Sequence, residues 1–408
     1  MIPVIILLAF SFFLFRSYAK GVICITIFSA FIDAFSISGM SIYSYLSLLA
    51  ILLLPYKIKN ANIKSYPFLI PSIFIFLSLL FTEIITSGGH FPSVVMRSAN
   101  YVIFPFIIWN LFKNSGSVSL KYFLKVSFAF AALIAIYSFF EYTSISNPFV
   151  DAMSRLDLYP YSYDLQIRYG LKRTYTFFPM HITNGAVSIG LFLILLYAKL
   201  NKMLKTKIVY IVLILLVINI FATGSRAVIL SFIIFLLFFL SLYFKLSTLL
   251  KITVSILLAY FVLGTYINTI IDSFIDTESV IGSNADMREG QFELAFYFLN
   301  KSFWFGNGIG EIGNVLINYQ EMMGAESLWI PVMVEQGIFG IISIISIFVF
   351  SIVYAYKRHF IPMIWIPIGF IVLFTMTSIP NCQPTYHLPI MFTIMAIYIQ
   401  AQTKKRIQ

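Results

Sequence analysis

The chain has 408 residues, of which 60% are hydrophobic, 18% aromatic and only 11% charged, and its mean hydropathy is +0.93. A soluble domain is nearer half apolar and a quarter charged, so this composition excludes one. The formal net charge of +11 does not point to nucleic acid, because the lysines sit beside the ends of apolar runs, where membrane topology is set.

Apolar runs recur at residues 2–15, 22–37, 42–54, 68–82, 101–112, 122–141, 182–198, 208–222, 227–244, 252–271, 327–356, 361–377 and 388–401. A membrane helix needs about 20 residues, so the pattern predicts an all-α polytopic membrane protein with about 12–13 spans. A β-barrel would alternate apolar and polar residues in short strands instead. The N-terminus is apolar without a basic flank and reads as a first span, not a cleaved signal. No sequence repeat interrupts the pattern, so residues 1–408 read as one multi-span domain. Lys57, Lys59 and Lys64, then Lys113, Lys121 and Lys125, then Lys199, Lys202, Lys205 and Lys207, then Lys245 and Lys251, then Lys357 and Arg358 mark alternate loops as cytoplasmic. Lys404, Lys405 and Arg406 put the C-terminus inside, and thirteen spans place Met1 outside.

Two long loops then fall outside, at residues 142–180 and 272–325. Loops of that length are functional or disordered, and their aromatic residues, among them Tyr159, Tyr161, Tyr163, Tyr169, Phe303 and Trp304, favour order. Phe292, Phe296 and Leu299 share one helical face, which predicts a helix lying on the membrane surface. The longest polar interruption runs from residue 284 to 340 and contains Gly306-Asn307-Gly308-Ile309-Gly310, a tight turn that needs glycine. It is no dinucleotide fingerprint, since no strand and no βαβ unit surround it.

Few residues in so apolar a chain can carry chemistry. Thr223-Gly224-Ser225-Arg226 lies between two spans at the external end. An external arginine at a helix end reads either as an anion site, with Ser225 and helix N–H groups as further donors, or as an interfacial anchor. Arg288 reads as a partner of that site or as a solvated loop residue paired with Glu289 or Asp286. Arg168, Lys172 and Arg173 form a basic external patch, suited to a phosphorylated substrate or to lipid headgroups. Glu326 enters the eleventh run, either as a partly desolvated base or as a helix N-terminal acid. His181 is a second candidate base, and Glu335 belongs inside the bundle. Asp33 and Glu83, the few charges a transporter site would use, sit near span ends. Cys24 and Cys382 imply neither a disulfide framework nor Cys/His metal spacing, and no P-loop is present. No metal or cofactor is expected.

TGSRAVIL at a helix start, an external loop with Arg288 and GNGIG, and then ESLWIPVMVEQGIFG resemble the O-antigen polymerase/O-antigen ligase family (Wzy-type). The resemblance is strongest from about Ile182 to Gly340. It implies a multi-helical glycosyltransferase in the cytoplasmic (inner) membrane, acting at the external or periplasmic face on undecaprenyl-diphosphate-linked oligosaccharide. Such transfer is metal-independent and inverting. By position, Arg226 matches the arginine after the small-residue turn and Arg288 the loop arginine. Glu326 falls where ligases carry a histidine, which favours a polymerase. The resemblance thus implies Glu326, Arg226 and Arg288 as catalytic residues, and Arg173, Arg168, Lys172, Ser225, Gly308 and Gly310 as substrate-binding ones. Membrane lipid, a chain-length regulator and a flippase are the partners implied. A ligase and a lipid-linked oligosaccharide flippase are the competing readings.

Overall fold

The computed structural model describes residues 2–58, 61–144, 146–159, 167–168, 171–200, 203–204, 207–242, 268, 285–319, 322, 327–376 and 387–407. About 81% of it is helical. Five helices among the described residues are long and apolar enough to cross a membrane, and further apolar helices are shorter. The predicted run 252–271 lies outside the described residues, as do the lysines at 245 and 251, Tyr161, Tyr163, Tyr169 and Glu326.

The chain begins with α1 (Ile2–Arg16), α2 (Tyr18–Ile27) and α3 (Ser29–Asp33). A small antiparallel pair, β1 (Ser36–Ile37) with β2 (Met40–Ser41), leads into α4 (Ile42–Lys57). α5 (Leu69–Thr86) is followed by α6 (Phe91–Ser98), which runs through a π turn at Ala99–Ile103 into α7 (Phe104–Thr143). The π turn has a local cause: Pro105 cannot donate to the carbonyl four residues earlier, so the helix widens just before it.

α7 is helical over 40 residues, yet the rings of Phe112 and Phe123 lie 5.5 Å apart. Residues eleven apart in a straight helix are separated by about 16 Å along the axis. The helix therefore folds back on itself between them, and its arms correspond to the runs predicted at 101–112 and 122–141. The lysines expected in a loop sit at this bend and in the helical turns flanking it. The segment KNSGSVS offers one glycine and no proline, a weak obstacle to helix.

Beyond α7 come α8 (Pro148–Arg155), the antiparallel pair β3 (Ile167–Arg168) and β4 (Leu171–Lys172), α9 (His181–Leu200), α10 (Ile208–Ala222) and α11 (Arg226–Leu242). α12 (Ala285–Lys301), α13 (Glu311–Asn318), α14 (Trp329–Lys357), α15 (Trp365–Thr375) and α16 (His387–Ile407) complete the described helices. α7 packs on α2, α9, α10 and α16; α5 and α12 pack on α14; α11 packs on α15.

The two ends of the bundle differ. At one end Lys20 stands over Tyr122, Lys199 stands over Tyr210, and the Asn62 amide donates to Asn110 Oδ1 at 2.9 Å. At the other, the turns after α3, α5 and α10 meet the loop segments around 171–180 and 302–310. There Leu328 N–H donates to the Phe374 carbonyl at 2.8 Å, and Trp329 Nε1 donates to Thr375 Oγ1 at 2.9 Å.

The predicted face of α12 is rotated. Gln291, Ala295, Phe298 and Leu299 are buried, the last three in a small core with Ile330, Met333 and Val334 of α14. Phe296 is exposed, with Tyr297, Phe303 and Trp304, so α12 is clamped onto α14 and shows aromatics outward. The reason is steric: contact with α14 selects the side bearing Ala295, where the helices can approach closely.

Candidate functional site

α14 is broken in the middle. Gly337 has φ 63° and ψ −155°, which interrupts the helical hydrogen bonds inside an apolar segment. The backbone groups freed by such a break need partners inside the protein. They find them in the segment 303–308, which carries the glycine turn. Asn307 and Gly308 N–H donate to the carbonyls of Val334 (2.8 Å) and Glu335 (3.2 Å). In return, Ile338 and Phe339 N–H donate to the carbonyls of Phe303 (2.9 Å) and Trp304 (3.1 Å). Two glycines make the approach possible. A Cβ on Gly306 would lie 2.3 Å from the Glu335 carbonyl carbon, and one on Gly337 would lie 2.6 Å from the Gly306 nitrogen.

This junction carries an ion pair whose carboxylate is buried and whose guanidinium is partly buried. Glu335, 3% exposed, bonds the guanidinium of Arg97 on α6, and Oε1 also accepts from Gly310 N–H at 3.0 Å. Around it, Ser78 Oγ donates to Gln336 Oε1 at 3.0 Å and Thr82 Oγ1 to the Phe305 carbonyl at 2.8 Å. Gly308 abuts Thr86, and Gly310 abuts His90. The tight turn after α5 is closed by Glu83, whose Oε1 accepts from His90 N–H at 2.6 Å. Gly308 and Gly310, expected to bind substrate, thus serve first to seat the loop against α5 and Glu335.

A second polar centre lies between α7, α9 and α10. The segment 174–178 descends into the bundle, and side chains satisfy its backbone. Glu141, fully buried, accepts from the N–H groups of Tyr175 and Thr176. Asn184 Nδ2 donates to the Thr174 carbonyl and Asn147 Nδ2 to that of Thr176, both at 3.0 Å. Asn219 joins Ser138, Thr174, Asn184 and Ser188 in one network. The predicted external loop 142–180 is therefore partly core. Tyr159, one of the loop aromatics expected to favour order, is 2% exposed, and its hydroxyl donates to the Phe177 carbonyl at 2.7 Å; burial pushes its pKa up.

The basic patch divides in the same way. Lys172 Nζ donates to the carbonyls of Glu141 and Ser144 and so caps the end of α7. Burial lowers its pKa, against the raising influence of Glu141 and Asp151. Arg173 is buried and lies over Gly224, 3.1 Å from where a Cβ would stand. Gly224 has φ +59°, the left-handed position that ends α10. Ser225 follows, buried, with its carbonyl accepting from Ile229 N–H at 3.0 Å, and Arg226 opens α11 half-buried. Arg173 is thus brought onto the Gly224–Arg226 turn. Arg168 lies on β3, and Arg288 is half-buried on α12; neither Arg226 nor Arg288 is a free cation.

Between the two centres is a cavity of about 680 Å³, within the range of small-molecule sites. Its wall toward the junction is formed by Pro92, Ser93, Met96 and Arg97, and its opposite walls come from α2–α4 and α9. Ile182, Thr183 and Ala186 of α9 face the cavity, while Gly185 packs against Val228 of α11. One helix, with His181 at its head, therefore separates the cavity from the Gly224–Arg226 turn. Among the described residues no group of His, Cys, Asp and Glu is placed to hold a metal ion.

Arg97 is the residue that reading the sequence missed. A charge at the start of an apolar run, in VVMRSANYVI, was the available signal. The asparagines at 184 and 219 carried a similar signal, as polar residues within predicted spans.

No family model matches the chain, and no curated protein matches it significantly.

Proposed function

We propose that the protein is a polysaccharide polymerase of O-antigen or capsule type. It would transfer a growing glycan from undecaprenyl diphosphate to the next lipid-linked repeat unit. The observation that carries this reading is the gathering, at one end of an apolar bundle, of the Arg173–Gly224–Arg226 turn and a cavity lined in part by hydroxyl side chains, on opposite sides of α9. In this reading the bundle has about 12–13 spans in the cytoplasmic membrane, and the polar end faces outside.

As the glycosidic bond breaks, negative charge grows on the leaving diphosphate. Arginines fixed beforehand at that place stabilise the transition state more than the ground state. Arg226 and Arg173, with Arg288 from the loop, take this role. The buried position of Arg173 favours it, since a guanidinium held by packing needs little reorganisation. Glu326 is the base that the sequence nominates. A flippase would favour a cationic cavity; here Arg97 is the one Lys or Arg among the described lining residues, and Glu335 neutralises it.

The test is a surface-polysaccharide ladder from a deletion strain complemented with wild type, Arg226→Ala or Arg226→Lys. The expected result is a single repeat on the acceptor and no ladder in the deletion, and a loss of roughly 100- to 1,000-fold in rate for Arg226→Ala. Arg226→Lys is expected to be defective too, since an ammonium lacks the planar two-point contact. Long lipid-linked chains that never reach the acceptor would mean a ligase, and single repeats held on the inner face a flippase.

A further inference from the structure

We infer that His181 is the base of this transferase, the group that takes the proton of the attacking hydroxyl beside the Gly224–Arg226 turn. This rests on the polymerase reading and adds to it a base on the same side of α9 as the arginines.

The helical register of α9 sorts its first turns into two faces. Ile182, Thr183, Ala186 and Gly190 line the cavity. His181, Asn184, Gly185 and Ser188 lie on the opposite face, because residues three, four and seven apart share one side of a helix. The neighbours of that face are fixed. Gly185 packs against Val228 of α11, and Asn184 and Ser188 are bonded to Asn219 of α10. Further along, the ring of Phe192 lies 5.2 Å from that of Phe232. The pairs Gly185–Val228 and Phe192–Phe232 advance together, so α9 and α11 run in the same direction. One turn back from Gly185 is His181, and one turn back from Val228 is Gly224. The imidazole therefore stands level with the Gly224–Arg226 turn, on the face of α9 directed toward it.

A second contact places it independently. The His181 ring lies 5.5 Å from that of Tyr175. Two residues before Tyr175, Arg173 lies over Gly224. Between them, Thr174 N–H donates to the Ala222 carbonyl at 3.0 Å. The segment that carries Arg173 thus links the head of α9 to the end of α10.

The described groups around this corner leave proton transfer to the imidazole. Arg173 and Arg226 are permanent cations and accept no proton. Lys172 donates to the carbonyls of Glu141 and Ser144. Glu141 uses its carboxylate oxygens on the N–H groups of Tyr175 and Thr176. His181 is half-buried, and imidazole is the side chain that most often serves as a general base near neutral pH. Its charge also suits the place. Taking up a proton makes it cationic just as negative charge grows on the diphosphate, and the two attract. A carboxylate there would repel the diphosphate of the donor before any bond broke.

The step balances simply. The acceptor hydroxyl oxygen forms a bond to the anomeric carbon as the carbon–oxygen bond to the diphosphate breaks. The electron pair leaves with the diphosphate, beside Arg226 and Arg173, and the hydroxyl proton passes to a ring nitrogen of His181. The imidazolium then gives it to water. Glu326 is not the base.

The experiment uses full-length protein in proteoliposomes, with the lipid extract of the deletion strain as the source of lipid-linked repeats, and follows polymer formed against repeat concentration. His181→Ala is expected to lower kcat by about 100-fold or more and to change KM by less than about threefold. Imidazole added to the buffer is expected to raise the kcat of His181→Ala by about tenfold or more and to leave wild type and Arg226→Ala unchanged. Glu326→Gln is expected to stay within about threefold of wild type. Wild-type kcat in His181→Ala, or a large kcat loss in Glu326→Gln, overturns the assignment and leaves the polymerase reading standing. A loss in His181→Ala that imidazole does not restore shows a structural role and overturns it too. Should His181→Ala fail to fold, His181→Gln decides, and a kcat within about threefold of wild type overturns the base. A wild-type protein that forms no polymer sinks the polymerase reading and this inference with it.

Discussion

An alanine at Gly306 would put a methyl group 2.3 Å from the carbonyl carbon and oxygen of Glu335 and 2.4 Å from the Gln336 nitrogen. All three are backbone atoms, so no side chain can rotate away. Gly306 also has φ +69°, where alanine costs about 1–2 kcal/mol. To admit the methyl, the loop must lift off α14, and four reciprocal backbone bonds between 303–308 and 334–339 go with it. At about 1 kcal/mol net each, these and the strain total about 5 kcal/mol, a loss seen only at special positions. The assay is the apparent melting temperature of purified protein in detergent, followed by tryptophan fluorescence. A fall of about 10 °C is expected. Gly313→Ala is the control: a Cβ there meets nothing within 4 Å, and the helix of α13 gains about 0.5–1 kcal/mol. A Gly306→Ala protein melting within about 2 °C of wild type would refute the docked break as described.

Three other outcomes follow from the same geometry. Arg97→Ala leaves the Glu335 carboxylate buried without its cation and is expected to destabilise by about 3–5 kcal/mol; adding Glu335→Gln should recover part of it, read as a coupling in a double-mutant cycle. Asn219→Leu strands donors on Ser138, Thr174 and Asn184, and a loss of about 3 kcal/mol or more is expected in the same melting assay. Gly224→Ala meets only the flexible Arg173 side chain at 3.1 Å but keeps φ +59°, so about 1–2 kcal/mol of stability is expected to be lost, with a larger effect on polymer yield if Arg173 serves the diphosphate.

The glycine turn shows how much of this site could be read in advance. Gly306, Gly308 and Gly310 marked a backbone that no regular element adopts, and all three do have positive φ. Their partner was harder to see. Gly337 sits in an apolar run that reads as one uninterrupted helix, and only the neighbouring loop makes the break stable. Arg97 and Glu335 are 238 residues apart, and nothing local in either segment names the other. Tyr159 and Lys172 read as parts of an external loop, Lys172 as a ligand-binding group, because polar and aromatic residues in a long loop are usually at the surface. The structure instead buries the described segment 173–178 of that loop, because Glu141, Asn147, Asn184 and Asn219 supply the hydrogen bonds that its backbone would otherwise take from water.

By itself the sequence determined the helical, apolar character of the chain, with helices long enough to cross a membrane, and the residues of its polar turns. Both follow from local composition and run length, because each helix satisfies its own backbone whatever surrounds it. Only the tertiary structure decided which polar residues face one another. A buried charge or an unpaired carbonyl selects its partner by position in space, and helix packing sets that position: α5 against α14, α9 between the cavity and the Gly224–Arg226 turn.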